Sequence, residues 1–140
     1  MKLIYSTIQP DKLLHIINRL DEIATRTDVC PPEQFIQLAT LRMNRGKTFL
    51  PHKHIYKSGE DKVIAQESWV VIQGSVKVIL YDLDDSIIAE EIINKGDCSI
   101  TFYGGHNYYI LEDNTVVYEY KTGPYKGQIL DKEFLENNDG

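Results

Sequence analysis

The chain has 140 residues, 42% of them hydrophobic and 26% charged, with a formal net charge of −6 and a pI near 5.1. Those values predict one globular domain with its own core, and the acidic balance argues against a nucleic-acid partner because it offers no basic stripe to phosphate. No apolar run reaches the roughly 18 residues that a membrane span needs.

In chain order, residues 1–8 have strand propensity, and 1–5 are too short and too polar to form a signal peptide. Pro10-Asp11 reads as a helix start. Leu13, Leu14, Ile17, Leu20 and Ile23 follow at the spacing of an amphipathic helix ending near Thr25, with His15 on it as a surface or packing residue. Residues 26–32, with Pro31-Pro32, form a connecting loop. The expected organisation is therefore an N-terminal strand and helix extension over 1–33, packed on a β-barrel over 34–140 that includes a C-terminal tail.

From there the pattern changes to strands, expected at 35–43, 49–54, 68–72, 76–82, 87–93, 98–102, 107–111 and 115–121. Turn residues separate them, among them Asn44-Arg45-Gly46, Gln73-Gly74, Asn94-Lys95-Gly96-Asp97 and Glu112-Asp113-Asn114. About eight short strands at close spacing predict an all-β antiparallel sandwich or jelly-roll barrel. The polar, glycine-containing stretch 55–66 predicts a solvated hairpin, read either as a substrate lid or as an ordinary surface excursion. Gly123-Pro124 should turn the tail across a sheet edge or onto a partner subunit. Cys30 and Cys98 are expected as free thiols, with the cytoplasm as the expected location.

Three histidines and a glutamate carry the chemistry: His52-Lys53-His54, then Glu67, then His106. Two histidines one residue apart on a strand point to one face, so their imidazoles can converge on one ion. A carboxylate and a third imidazole from other strands complete a four-ligand set. Such a set suits Zn, Fe, Ni, Mn or Cu rather than Ca or Mg, and an octahedral ion would keep two positions for water or substrate. If His106 points inward, Tyr108 and Ile110 share its side and Tyr109 does not. Trp69 should share the inward face of Glu67. Of the nine tyrosines, Tyr103, Tyr108, Tyr118 and Tyr120 are candidate pocket walls, with Tyr108 and Tyr118 as candidate catalytic residues.

The surrounding glycines add a family likeness. Gly46, His52, His54, Glu67 and Gly74, then Gly96, Phe102, Gly104 and His106, resemble the two cupin motifs, G-x5-H-x-H-x3,4-E-x6-G and G-x5-P-x-G-x2-H-x3-N. Twelve residues separate His54 from Glu67, a longer interval than the family's, Phe102 replaces proline, and one residue is missing between Gly104 and His106. The resemblance implies a double-stranded β-helix binding a divalent transition metal through His52, His54, Glu67 and His106. It also implies a homodimer and a small-molecule ligand inside the barrel. The tyrosine- and glycine-containing tail is similar to that of small cupins of surface-polysaccharide and deoxysugar synthesis.

Three functions stay open at this point. One is a metal-dependent enzyme acting on a small oxygen-rich molecule such as a sugar or sugar nucleotide. Another is a metal-independent sugar isomerase or epimerase with a histidine base and a tyrosine acid. The third is a non-catalytic binding module.

Overall fold

The computed structural model describes residues 1–55, 64–124 and 132–135. Twelve strands appear among them in the order β1 (Lys2–Tyr5), β2 (Leu13–Ile17), β3 (Arg26–Asp28), β4 (Ile36–Met43), β5 (His52–His54), β6 (Glu67–Gln73), β7 (Ser75–Tyr81), β8 (Ile87–Asn94), β9 (Cys98–Thr101), β10 (Gly105–Ile110), β11 (Thr115–Thr122) and β12 (Lys132–Phe134). Strands β4 to β11 are the eight read from the alternation.

The helix expected over residues 10–25 is not present. Its first half is β2, paired antiparallel to β1, and among the described residues the only helical turn is a 3-10 turn at Leu20–Glu22. The reason lies in the register. Ile4 pairs with His15 and Tyr5 with Leu13, so Leu14 is an extra residue in a bulge. The bulge breaks the period of two: Leu13 and Ile16 are half-buried, while Leu14 and Ile17 of the expected helical stripe are exposed. Ser6 fixes the turn between the two strands, accepting the backbone N–H of Ile8 at 3.0 Å and of Gln9 at 2.9 Å. His15 therefore sits exposed on a strand.

The remaining strands form two five-stranded antiparallel sheets, ordered β3-β4-β11-β6-β9 and β12-β5-β10-β7-β8. The chain passes repeatedly from one sheet to the other, so strands adjacent in sequence often face each other across the core. Residues 2 apart on each strand line that core: Ala39, Leu41 and Met43 on β4, Trp69 and Val71 on β6, Val76 and Val78 on β7, Tyr108 and Ile110 on β10, and Val117 on β11. Trp69 from one sheet stacks flat on Tyr108 from the other, with centroids 3.7 Å apart and planes at 1°.

Two strands outside the expected set complete the sheets. β3 adds to the edge of β4, and β12 lies across the edge of β5. The tail thus covers a sheet edge. Most of the expected 55–66 hairpin, with its lid reading, and residues 125–131 of the tail lie outside the described residues. Cys30 and Cys98 are both free. No helix among the described residues is long and apolar enough to cross a membrane.

Candidate metal centre

Strand alternation does most of the work of assembling the site. His52 and His54 point inward from β5, while Lys53 between them turns out to Asp85 at 3.0 Å and Glu133 at 3.2 Å. β10 runs beside β5 with His106 directly opposite His52. Gly104, at φ +84°, makes the turn that brings β10 into this register; a Cβ there would lie 2.6 Å from the Tyr81 carbonyl oxygen. Glu67 opens β6 in the other sheet, so the cluster lies between the two sheets.

The four side chains are buried, and one ligand atom from each lies within 4.8 Å of the other three. His54 Nε2 is 2.6 Å from Glu67 Oε2, and His106 Nε2 is 3.1 Å from the same oxygen. His106 Nε2 and His52 Nε2 face each other at 3.1 Å. Ligands at about 2.1 Å from one ion, set at right angles, are separated by roughly 3 Å. The observed spacings fit that arrangement. The far nitrogens are held too: His52 Nδ1 lies 3.1 Å from the Leu50 carbonyl oxygen and His106 Nδ1 lies 3.0 Å from the Thr101 hydroxyl. A bond from His52 Nδ1–H to Leu50 leaves Nε2 with its lone pair aimed at the cluster.

The electrostatics agree. Burial, then the neighbouring His106, pushes the His52 imidazole down to about 3, so it is neutral near pH 7 and able to act as a ligand. Burial alone would push the Glu67 carboxyl up, but the charges and hydrogen bonds of His106 and His54 outweigh it and hold it well below the usual carboxylate range.

His52, His54 and Glu67 lie at the wall of a cavity of about 550 Å³ lined also by Arg26, Asp28, Phe49, Trp69, Tyr108, Glu119, Lys121 and Lys132, with His106 fully buried behind them. No family model and no curated protein matches the sequence. Solved structures do match in shape. A Klebsiella pneumoniae protein with a double-stranded β-helix domain superposes with a TM-score of 0.62 at 14% identity, over 89% of this chain and 100% of that one. The Cnp3 cupin domain of Schizosaccharomyces pombe gives 0.60 at 11% identity, over 86% and 84%. CapF with the inhibitor 3-isopropenyl-tropolone gives 0.64 at 20% identity, over 84% of this chain but only 33% of CapF.

The chain has the cupin fold. Within this cupin barrel the three imidazoles and one carboxylate make a donor set suited to a divalent transition metal.

Other sequence-predicted residues fall on both sides of the wall. Trp69 shares the inward face of Glu67 and donates its indole N–H to Glu119 Oε2 at 2.9 Å, with Glu67 Oε1 at 3.3 Å. Tyr108 is fully buried, lines the cavity, and brings its hydroxyl within 3.4 Å of His106 Nδ1. Burial, then the Glu67 charge, raises the Tyr108 phenol well above its usual range and keeps it protonated. Tyr109 turns outward, as alternation requires. Tyr118 falls between the inward-facing Val117 and Glu119 and so faces away from the cavity; Tyr103 and Tyr120 are exposed.

Glu119 is the residue the sequence reading passed over. It faces inward beside Trp69 and forms an ion pair with Arg26 at 3.5 Å. Burial and the nearby Glu67 push its carboxyl up, Arg26 and Lys121 pull it down, and it settles at about 7. Its signal was available: a carboxylate two residues beyond Val117 on an alternating strand must share the core face.

Proposed function

We propose that this cupin-fold chain is a metal-dependent enzyme acting on a small oxygen-rich molecule, a sugar or sugar nucleotide, bound in the cavity beside His52, His54, Glu67 and His106. The observation that carries the reading is the convergence of four buried ligand atoms within 4.8 Å, three of them from residues that line a 550 Å³ cavity. A purely structural ion is normally closed off by tetrahedral ligands, whereas this cluster adjoins space for a substrate. A bound divalent ion would supply Lewis acidity toward a substrate oxygen.

The protein's own groups have distinct tasks. Trp69 steadies Glu67, Thr101 and Tyr108 orient His106, and the Trp69–Tyr108 stack supplies a dry apolar wall. Tyr108 and Glu119 carry the protons that the reaction moves within the cavity. CapF, a structural neighbour, takes the inhibitor 3-isopropenyl-tropolone, a small oxygen-bearing ring, which supports a ligand of this kind. The sugar assignment follows from the likeness to small cupins of polysaccharide and deoxysugar synthesis. Cytoplasmic action and a homodimer are part of the same proposal, the dimer being supported by the apolar groove that Phe35, Ile36, Ile100, Phe102 and Tyr120 expose on the outer face of one sheet.

On the metal-independent isomerase reading the base would be His54 or His106, because burial holds His52 near 3. The test is turnover of sugars and sugar nucleotides followed by NMR with and without chelator. Turnover that chelator abolishes and added metal restores is expected. Chelator-resistant turnover would replace this reading with the metal-independent one.

A further inference from the structure

The inward face of β4 begins on a polar side chain. Gln37 has the same parity as Ala39, Leu41 and Met43, so alternation turns it toward the interior, where it is 8% exposed and lines the cavity. Its Nε2 donates to two backbone carbonyls of the turn before the strand, that of Pro31 at 2.9 Å and that of Gln34 at 2.8 Å. Reversing the amide would set Oε1 against both carbonyl oxygens, acceptor against acceptor, so its orientation is fixed. The stem is packed as closely: a Cβ on Gly123 would lie 3.1 Å from Gln37 Cγ. Both amide hydrogens are thus engaged. What Gln37 offers a ligand is an acceptor and no donor, and among the described residues nothing donates to Oε1.

Its position relative to the ligand cluster follows from register. Gln37 is the cross-strand partner of Lys121, and Lys121 is that of Glu67. Gln37 therefore stands two strand spacings, about 10 Å, from a metal ligand. A metal–oxygen bond of about 2 Å and a hydrogen bond of about 3 Å leave about 5 Å for the molecule between them, the width of one sugar ring. A hydroxyl arriving at Oε1 replaces the hydrogen bond that water makes there. A ligand with a hydrogen atom, a carbonyl or a carboxylate at that point displaces the water and leaves the acceptor unpaired.

We propose that Gln37 is a specificity-determining residue whose Oε1 accepts a hydrogen bond from a substrate hydroxyl, so that the cavity selects a hydroxylated ring with one oxygen at the ligand cluster and a hydroxyl at Gln37. The inference rests on the reading of the site as a metal-dependent centre for a small oxygen-rich molecule and adds the residue that reads its hydroxyls.

The test uses the full chain, loaded with zinc, with metal content and melting temperature measured on every sample. Titration calorimetry compares D-glucose, D-galactose and D-mannose with their monodeoxy analogues. For the sugar that binds most tightly, one deoxy analogue is expected to bind about tenfold more weakly. Gln37→Met, which keeps the length of the side chain and removes its oxygen, should weaken the parent sugar by about as much and leave that analogue unchanged, at unchanged zinc content. A merely structural role gives a different result, since loss of the bonds to Pro31 and Gln34 would lower the melting temperature and weaken sugar and analogue alike. If the variant does not fold, a crystal structure of the wild-type protein with the sugar decides, with a hydroxyl oxygen expected within about 3 Å of Oε1. Deoxy analogues that all match their parents, a methionine variant that weakens both forms equally, or a sugar bound away from Gln37 would overturn the inference and leave the metal-dependent reading standing. If none of the sugars binds, this inference and the sugar assignment fall together. Loss of zinc from the wild-type protein is a separate result that removes the metal reading itself.

Discussion

Two imidazole nitrogens facing each other at 3.1 Å, with a carboxylate oxygen within 3.1 Å of one of them, are an arrangement that lone pairs adopt around a shared cation. Each ligand is therefore expected to matter individually. His106→Ala should reduce zinc content to near zero, read by elemental analysis, while Tyr108→Phe, which keeps the ring beside His106, should leave it near wild type. The pH dependence of the chelator-treated protein follows from signs. His52 is lowered from 6.5 to about 3, so its contribution to stability is complete above 6.5 and is lost as pH falls toward 3. Glu119 is raised from 4.5 to about 7, so its contribution is complete below 4.5 and is lost as pH rises through 7. Thermal melts across pH 4 to 8 should therefore show Glu119→Gln flattening the alkaline side relative to wild type; superimposable profiles would contradict this assignment. At this scale the histidines were legible because H-x-H on a strand fixes both rings to one face. Alternation from Val117 put Glu119 on the core face, but its importance comes from Trp69, Glu67 and Arg26 on other strands, and such neighbours cannot be read from a single strand.

Strand β6 links the core to the site. Glu67, Trp69 and Val71 share one face, and the Trp69 ring lies against Tyr108 while its N–H reaches both Glu67 and Glu119. Trp69→Ala should cost about 3–5 kcal/mol in denaturant unfolding, the usual result of emptying a large aromatic site, and should weaken zinc affinity through the Glu67 carboxylate. Tyr108→Phe preserves the stack and should cost no more than about 1.5 kcal/mol, the net worth of one hydrogen bond. The same alternation that places Trp69 made eight strands readable. The N-terminal hairpin was misread because Leu13, Leu14, Ile17 and Leu20 fall at helical spacing, although Leu14 and Ile17 are exposed on strand β2. The short strands β3 and β12 carry too little pattern of their own; each exists because a sheet edge offers it hydrogen-bonding partners.

For the whole molecule, the decisive feature is that the ligands come from both sheets: His52, His54 and His106 from one, Glu67 from the other. An ion bound there ties the two halves of the barrel together and binds only the folded chain. Metal should therefore raise the melting temperature, by an amount corresponding to about 2.7 kcal/mol when its concentration is 100 times its dissociation constant. The exposed groove around Ile100 and Phe102 belongs to the same scale. Light scattering is expected to give the mass of two chains, and Ile100→Glu with Phe102→Glu to give one; a monomeric wild type would contradict the homodimer. The fold was legible as a whole because strand spacing and turn residues repeat over most of the sequence. Which sheet edge each terminal segment would cover was not, since that depends on tertiary pairing.

The most direct measurement is elemental analysis of the protein purified without added metal, paired with anomalous scattering from its crystals. One equivalent of a transition metal is expected, with an anomalous peak bonded to His52, His54, Glu67 and His106. A metal-free protein that takes up no transition metal on titration, or a peak located elsewhere, would contradict the account.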